Sequence, residues 1–423
     1  MSEYLSQFTS RFPEELSGAR RIGLRKEFPV INSRTFRAAG SRDLFSLLIA
    51  KNSGWEPLAY GNDLVGCSRD GVIVSGTSST CTLKIIIPPQ SNLYYAKSLE
   101  DETISEVARE LKTMGSLILG YGIQPLNSAG NDLWQKNGKI DALRKNFPSV
   151  ISNSTIAAAD HVSIDVTAKE LLEASNVFNA LSSVIIAIFA NSPVWRGSAD
   201  RGNRRSVRED LLKEWEPFEQ RSGIPNHFNS VEEYLRYLQG LKFWVTKDKS
   251  GRYFSPGQSF GSWVAQNTAS GQEFMEYLLQ QEKFVWNCAR PRAKFGTVEI
   301  CSACSQPPMS EILPAAFCLG VAENLESVSR LIRLYRWKDW KMLYQKAIIR
   351  GFNAKAGTLR LDSIAEEILA LAYEGLEQRY LGEEILLSDA FARLNKQEAP
   401  AEKAKRWMKE TEGLEGLIKK VAY

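Results

Sequence analysis

The chain has 423 residues, 43% hydrophobic and 24% charged, an ordinary globular composition with enough apolar content for a large core. Its 53 basic and 49 acidic residues leave a net charge of +4, too small a surplus to argue for nucleic acid or an anionic membrane as a partner. The most apolar run, 184–190, falls short of the roughly 20 residues a membrane span needs. The N-terminus lacks the charged-then-apolar order of a secretory signal, so a cytoplasmic protein is expected. Six scattered cysteines read as free thiols in that setting, and two histidines are too few to favour a histidine-rich metal site or a Ser-His-Asp arrangement.

Residues 1–20 read as a polar lead-in. Arg21–Ile31 alternates and predicts a strand, and Asp43–Lys51 predicts a short amphipathic helix. Gly71–Ser75 and Cys81–Ile87 predict two strands about a Gly76-Thr77-Ser78-Ser79 turn, the second stopped by Pro88-Pro89. Leu99–Leu119 has helical spacing, with Glu100, Asp101 and Glu102 at its start, where the helix dipole favours acids. Gly120-Tyr121-Gly122 ends it, and Ile118–Leu126 leads into a further strand. Ala159–Val166 alternates again. Ala168–Ala190 predicts one long buried helix, closed by Asn191-Ser192-Pro193. Within 194–260, helices are expected at Ser206–Trp215 and Val231–Leu241, then one at Gln272–Glu282 and a strand region at Phe284–Ile300. From Glu311 the pattern is almost wholly helical: 311–336, 338–350, 361–378, 383–395 and 400–421. Mixed elements first and helices afterwards imply α+β, with residues 1–310 as the mixed scaffold and 311–423 as a helical region packed on it.

Two strands stand out because each delivers an acid. Lys294–Cys304 carries Glu299, and Ile22–Ile31 carries Glu27. Further motifs occur in order along the chain: Thr77 through Lys84 before Pro88-Pro89; Asp160-His161-Val162-Ser163-Ile164-Asp165; Asn191-Ser192-Pro193, Gly197 and Arg201, Arg204, Arg205 and Arg208; Trp286, Arg290-Pro291 and Gly296-Thr297-Val298-Glu299; and Gly375-Leu376, Arg379 and Gly382-Glu383. In this order they resemble the glutamate–cysteine ligase family, most closely its bacterial carboxylate–amine ligase branch. The resemblance covers most of the chain. It implies a glutamine-synthetase-like, six-stranded antiparallel funnel flanked by helices. It also implies ATP and Mg²⁺ as cofactors if the chain is active, and γ-glutamyl-type amide formation through an acyl phosphate. Under that reading Glu27, Glu299 and Asp165 are the candidate catalytic residues, Glu27 and Glu299 the metal ligands, and Arg204, Arg205 and Arg290 the cofactor-binding residues.

The neighbouring positions depart from the pattern. Magnesium wants several hard carboxylate oxygens, and a Glu-x-Glu strand supplies two on one face. Here Arg25 stands at the first of that pair and Lys84 at a later acid. Thr77 stands at an Asp position, Ser163 at a His, and Cys301 at an Arg. Arg25 and Lys84 are therefore expected to pair with Glu27 and Glu299 and to fill the metal site with salt bridges, since close opposite charges favour each other's ionised form. The first reading is accordingly an altered, pseudoenzyme-like member. It would bind a small amino-acid-like molecule or a protein partner, such as an active homologue or a second copy, and need no cofactor. An active ATP-dependent ligase is the competing reading.

Plainer readings accompany the other features. The arginine loop is read either as an oxyanion clamp or as a solvated charged loop. Cys301-Ser302-Ala303-Cys304 with Cys288 lacks a second Cys or His pair, so buried thiols are expected rather than zinc or a redox pair. His161 is expected to be structural, and Trp337 and Trp340 with Arg333 and Arg336 to form a helix-packing seam.

Overall fold

The computed structural model describes residues 2–51, 53–61, 63–130, 133–135, 138–213, 221–248, 250–268, 270–410 and 413–423. Its centre is a nine-stranded sheet. The strands are β1 (Ile22–Asn32), β2 (Glu56–Tyr60), β3 (Asp63–Arg69), β4 (Val72–Gly76), β5 (Thr82–Gln90), β6 (Ser116–Ile118), β7 (Ala159–Asp165), β8 (Ala289–Arg292) and β9 (Thr297–Cys304). Their order is β8-β9-β7-β1-β5-β4-β3-β2, all neighbours antiparallel, with β6 on the far end of β1. The sheet thus carries more strands than the six expected, because it includes the β2–β3 hairpin and the short β6. The hairpin is largely exposed on β2 and has no two-residue alternation to read.

The alternation of β1 gives the sheet two different faces. Leu24, Lys26 and Phe28 are buried on one side; Gly23, Arg25 and Glu27 are half-buried on the other. Leu24 and Phe28 join Ile22, Val162, Ile164, Val298 and Ile300 in the main core with the helices Leu171–Ala180, Ser182–Phe189 and Leu313–Glu323. The helix Leu93–Thr113 also packs on this sheet, against β5 and β6. The opposite face lines a cavity.

Several elements differ from expectation for local reasons. The helix expected at 99–119 starts at Leu93, where the Asn92 side chain accepts from the Tyr94 and Tyr95 amides, and ends at Thr113. The strand expected at 118–126 ends at Ile118. Beyond it Gly120 lies so close to the neighbouring chain that a Cβ there would be 2.2 Å from the Gln306 carbonyl oxygen. β5 runs through Pro88 and Pro89 to Gln90, because its pairing with β4 ends at Ile86 and the prolines face no donor requirement there. The long helix expected at 168–190 is two helices bent by 49°. Ser182 Oγ donates to the carbonyls of Phe178 and Asn179, a side-chain competition that bends helices. The bent pair is apolar and buried; among the described residues no single helix is long and apolar enough to cross a membrane.

In the C-terminal region 311–336 divides into Leu313–Glu323 and Leu325–Arg333, and 383–395 opens with a 3-10 turn at Glu383–Leu387. The end of the helix expected to reach Trp215, and residues 411 and 412 within the one expected at 400–421, lie outside the described residues.

Candidate functional site

The polar face of the sheet closes a cavity of about 420 Å³. The sheet supplies Arg25 and Glu27 from β1, Lys84 from β5, His161 from β7 and Cys301 from β9, with Thr77 and Ser78 from the β4–β5 turn. The walls come from the helix Gly138–Asn146 (Lys139, Ile140, Leu143), from Arg208, and from Lys283, Phe284 and Trp286 after the helix Gly271–Glu282.

Register explains the meeting of these side chains. Arg25 lies opposite His161, Glu27 opposite Lys84, and Glu299 opposite both Ser163 and Arg290. Arg25 consequently spans the two acids: one Nη is 3.3 Å from Glu27 Oε1 and the other 3.5 Å from Glu299 Oε1. The other oxygen of Glu299 is 3.0 Å from Arg290 and 2.5 Å from Arg292. The His161 ring sits among them, Nε2 2.7 Å from Arg25 Nη2 and Nδ1 3.2 Å from Glu299 Oε1. A proton on Nδ1 satisfies both contacts, with Arg25 donating to Nε2.

The electrostatics follow. Burial pushes the Glu27 carboxyl up, but Arg25, His161 and Arg208 outweigh it and hold the group at about 2. Burial acts the same way on Glu299, and Arg290, Arg292 and Arg25 hold it well below the usual carboxylate range. Burial raises the Cys301 thiol despite Arg290 and Arg208 nearby. The thiol lies 3.5 Å from the Asn287 carbonyl and 3.2 Å from Arg290 Nη1 and is no reactive thiolate. All six cysteines are buried and free of disulfides.

The expected residues fare unequally. Arg25 pairs with both acids as expected. Lys84 does not; although opposite Glu27, it has no carboxylate within the 4.0 Å of an ion pair among the described residues, and its ammonium serves the cavity wall. Asp165 is on the same strand as His161 but outside the cavity lining, where Arg21 holds it at 2.8 Å. Of the arginine loop, Arg201 is exposed, Arg204 is tied to Asp200 and Asp210, and Arg205 is tied to Glu402. Only Arg208 reaches the cavity, buried between Glu209 and the Cys301 carbonyl. Arg290 is buried beneath the site as the anchor of Glu299. His161 belongs to the site rather than only to the framework; its two-residue spacing from Ser163 on a strand was the available signal. Lys139 and Lys283 carry no local signal, since tertiary packing alone brings them here.

The facing oxygens of Glu27 and Glu299 are joined by a guanidinium, and no group of three or more candidate metal-ligating side chains occurs among the described residues.

The antiparallel sheet, with helices on one face and charged groups gathered on the other, is a glutamine-synthetase-like fold. The model of Glutamate-cysteine ligase family 2 (GCS2) matches residues 80–392, and the chain belongs to the glutamate–cysteine ligase family. It is 22% identical over 408 residues to the chloroplastic glutamate–cysteine ligase A of Oryza sativa subsp. indica, covering 90% of this chain and 80% of that one. The chloroplastic enzyme of Arabidopsis thaliana is 22% identical over 376 residues, covering 85% and 70%. Among solved structures, the glutamate–cysteine ligase of Francisella tularensis in complex with AMP superposes with a TM-score of 0.63 at 13% identity, over 96% of this chain and 88% of that one. A bifunctional glutathione synthetase from Pasteurella multocida gives 0.59 at 13% identity; this chain covers 52% of its length, so it spans about half of that protein.

Proposed function

We propose that this chain is a glutamate–cysteine ligase family member that keeps the funnel but has exchanged magnesium-assisted carboxylate activation for an internal ion-pair lattice, leaving a binding pocket for a small amino-acid-like anion. The observation that carries this reading is Arg25, which bridges Glu27 and Glu299 where a ligase of this scaffold is expected to hold metal. Removing Glu299 would leave the buried Arg290 and Arg292 guanidiniums without their carboxylate, which accounts for its retention without catalysis. Residues 1–310 would form the binding scaffold, with 311–423 packed behind it.

A titration of the full chain with Mg²⁺ and ATP, read by thermal unfolding and by phosphate release with glutamate and cysteine, tests this. Neither signal is expected. A ligand at 100 times its dissociation constant would add about 2.7 kcal/mol of apparent stability, so a magnesium-dependent shift that Glu299→Gln abolishes would overturn the proposal.

The second reading, an active ATP-dependent carboxylate–amine ligase using Glu27, Glu299, Asp165 and the arginine loop, is supported by the alignment of 90% of the chain with the rice enzyme. Turnover in the same experiment would establish it.

A further inference from the structure

Lys84, Lys139 and Lys283 reach the cavity from three separate elements: β5, the helix Gly138–Asn146 and the turn after the helix Gly271–Glu282. None of the three has a carboxylate within 4.0 Å among the described residues. Lys139 lies instead over the Phe284 ring, 4.8 Å from its centroid. The two lining guanidiniums are already engaged, Arg25 by Glu27 and Glu299 and Arg208 by Glu209 and a backbone carbonyl. Among the described residues, five basic lining side chains stand against one lining acid, Glu27, and Arg25 already answers it. Unanswered ammonium charge in a concave, half-buried wall repels itself and attracts anions. Burial, reinforced by Arg25 and only partly offset by Glu27, lowers Lys84 to about 8; burial, reinforced by Lys283 and Lys84, does the same to Lys139.

We infer that this cavity is a metal-independent site for a phosphate dianion, taken as inorganic phosphate or as the phosphomonoester of a small amino-acid-like molecule, held by Lys84 and Lys139 with Lys283 at its edge. Ammonium groups converging from different directions are point charges that suit a tetrahedral oxyanion. A planar carboxylate is better matched by a guanidinium fork, and here the forks hold the protein's own carboxylates. Thr77 and Ser78 bring hydroxyls to the same wall, while Leu143 and Trp286 offer apolar surface to the remainder of a ligand. The volume, about 420 Å³, suits a small molecule. The inference rests on the reading that Arg25 has taken the place of metal.

Isothermal titration calorimetry of the full chain in EDTA, with inorganic phosphate, O-phosphoserine and glutamate as probes and then a repeat in Mg²⁺, tests it. A phosphate probe is expected to bind in EDTA and to weaken about tenfold or more in Lys84→Met and in Lys139→Met, as loss of a charge-assisted contact dictates. Both variants delete an unpaired charge, so their ligand-free melting temperatures should not fall. Tighter binding of O-phosphoserine supports the phosphomonoester source, and equal or tighter binding of phosphate supports the free ion. No binding of either phosphate probe in EDTA, or binding unchanged in both lysine variants, overturns the inference. Preference for glutamate overturns the phosphate class and leaves the metal-free reading standing. Binding that appears only with Mg²⁺ overturns the metal-free reading as well.

Discussion

Arg25 decides the character of the site because its guanidinium reaches two acids that sit on different strands. A glutamate in its place would gather carboxylates at 25, 27 and 299 with no cation between them. Arg25→Glu should therefore destabilise the protein in EDTA through like-charge repulsion and regain stability on addition of Mg²⁺, by about 2.7 kcal/mol once the ion reaches 100 times its dissociation constant. Urea unfolding with and without Mg²⁺ measures this; a variant indifferent to the ion would mean that Arg25 is not what keeps metal out. This part of the site was legible in the sequence, since strand alternation places residues 25 and 27 on one face. The fate of Lys84 was not. Register puts it opposite Glu27, but its long side chain has several ways to go, and the ammonium takes the cavity rather than the acid.

At the level of elements, the motif around Gly375, Arg379 and Glu383 has a structural explanation. A Cβ at Gly375 would stand 2.1 Å from the Gly320 carbonyl oxygen, so two glycines let the helices Leu313–Glu323 and Leu361–Glu377 cross in direct backbone contact. Arg379 then binds Glu323 and Glu383, and Glu383 accepts from the Leu93 amide at the start of the helix Leu93–Thr113. One fully buried carboxylate thus ties the C-terminal helices to a helix that packs on the sheet. Glu383→Ala leaves Arg379 without one buried partner and Leu93 without its acceptor, and should cost about 3–5 kcal/mol in urea unfolding; a loss under ~1 kcal/mol would show that Glu323 and water replace it. Elements with a clear period, such as β1, β7 and the helix Val231–Gly240, are readable from the spacing of their apolar residues alone. The bend at Ser182 and the β2–β3 hairpin are not, because one depends on side-chain bonds to the backbone and the other on an edge with little burial. Lys139 and Lys283 likewise enter the site only through packing between distant segments.

Across the whole molecule, buried acids set an unusual dependence on pH. On the helix-covered face of the sheet Lys26 lies 3.2 Å from Glu100 and 3.3 Å from Asp160, with Glu311 and Tyr423 also facing the group. One ammonium does not sustain all these charges. Burial, outweighing Lys26, raises Glu100 to about 7 and Asp160 to about 6, and burial raises Glu282 to about 8. Raised acids contribute stability that is complete below the ordinary carboxylate range and is lost as pH climbs through their folded values. Glu27 and Glu299, both depressed, contribute above that range, and Glu27 loses its share as pH falls toward 2. Stability should therefore peak in weak acid, near pH 5, and decline toward pH 8. Glu100→Gln should remove up to one proton's share of that decline, ~1.4 kcal/mol per pH unit between pH 5 and 7. Urea titrations across this range, with an unchanged slope in the variant, would refute the assignment.

The lysines that line the funnel also have a kinetic meaning. Cationic groups at the base of a concave, poorly polarisable wall focus the electric field outward through its mouth, so an approaching anion is drawn in before it touches the protein. A chain whose overall charge is only +4 can thereby behave, along that one axis, as a strongly positive body. Its capture rate for anions should fall steeply as salt shortens the Debye length below the depth of the funnel, while the release rate changes little. Stopped-flow binding at several ionic strengths would expose that asymmetry.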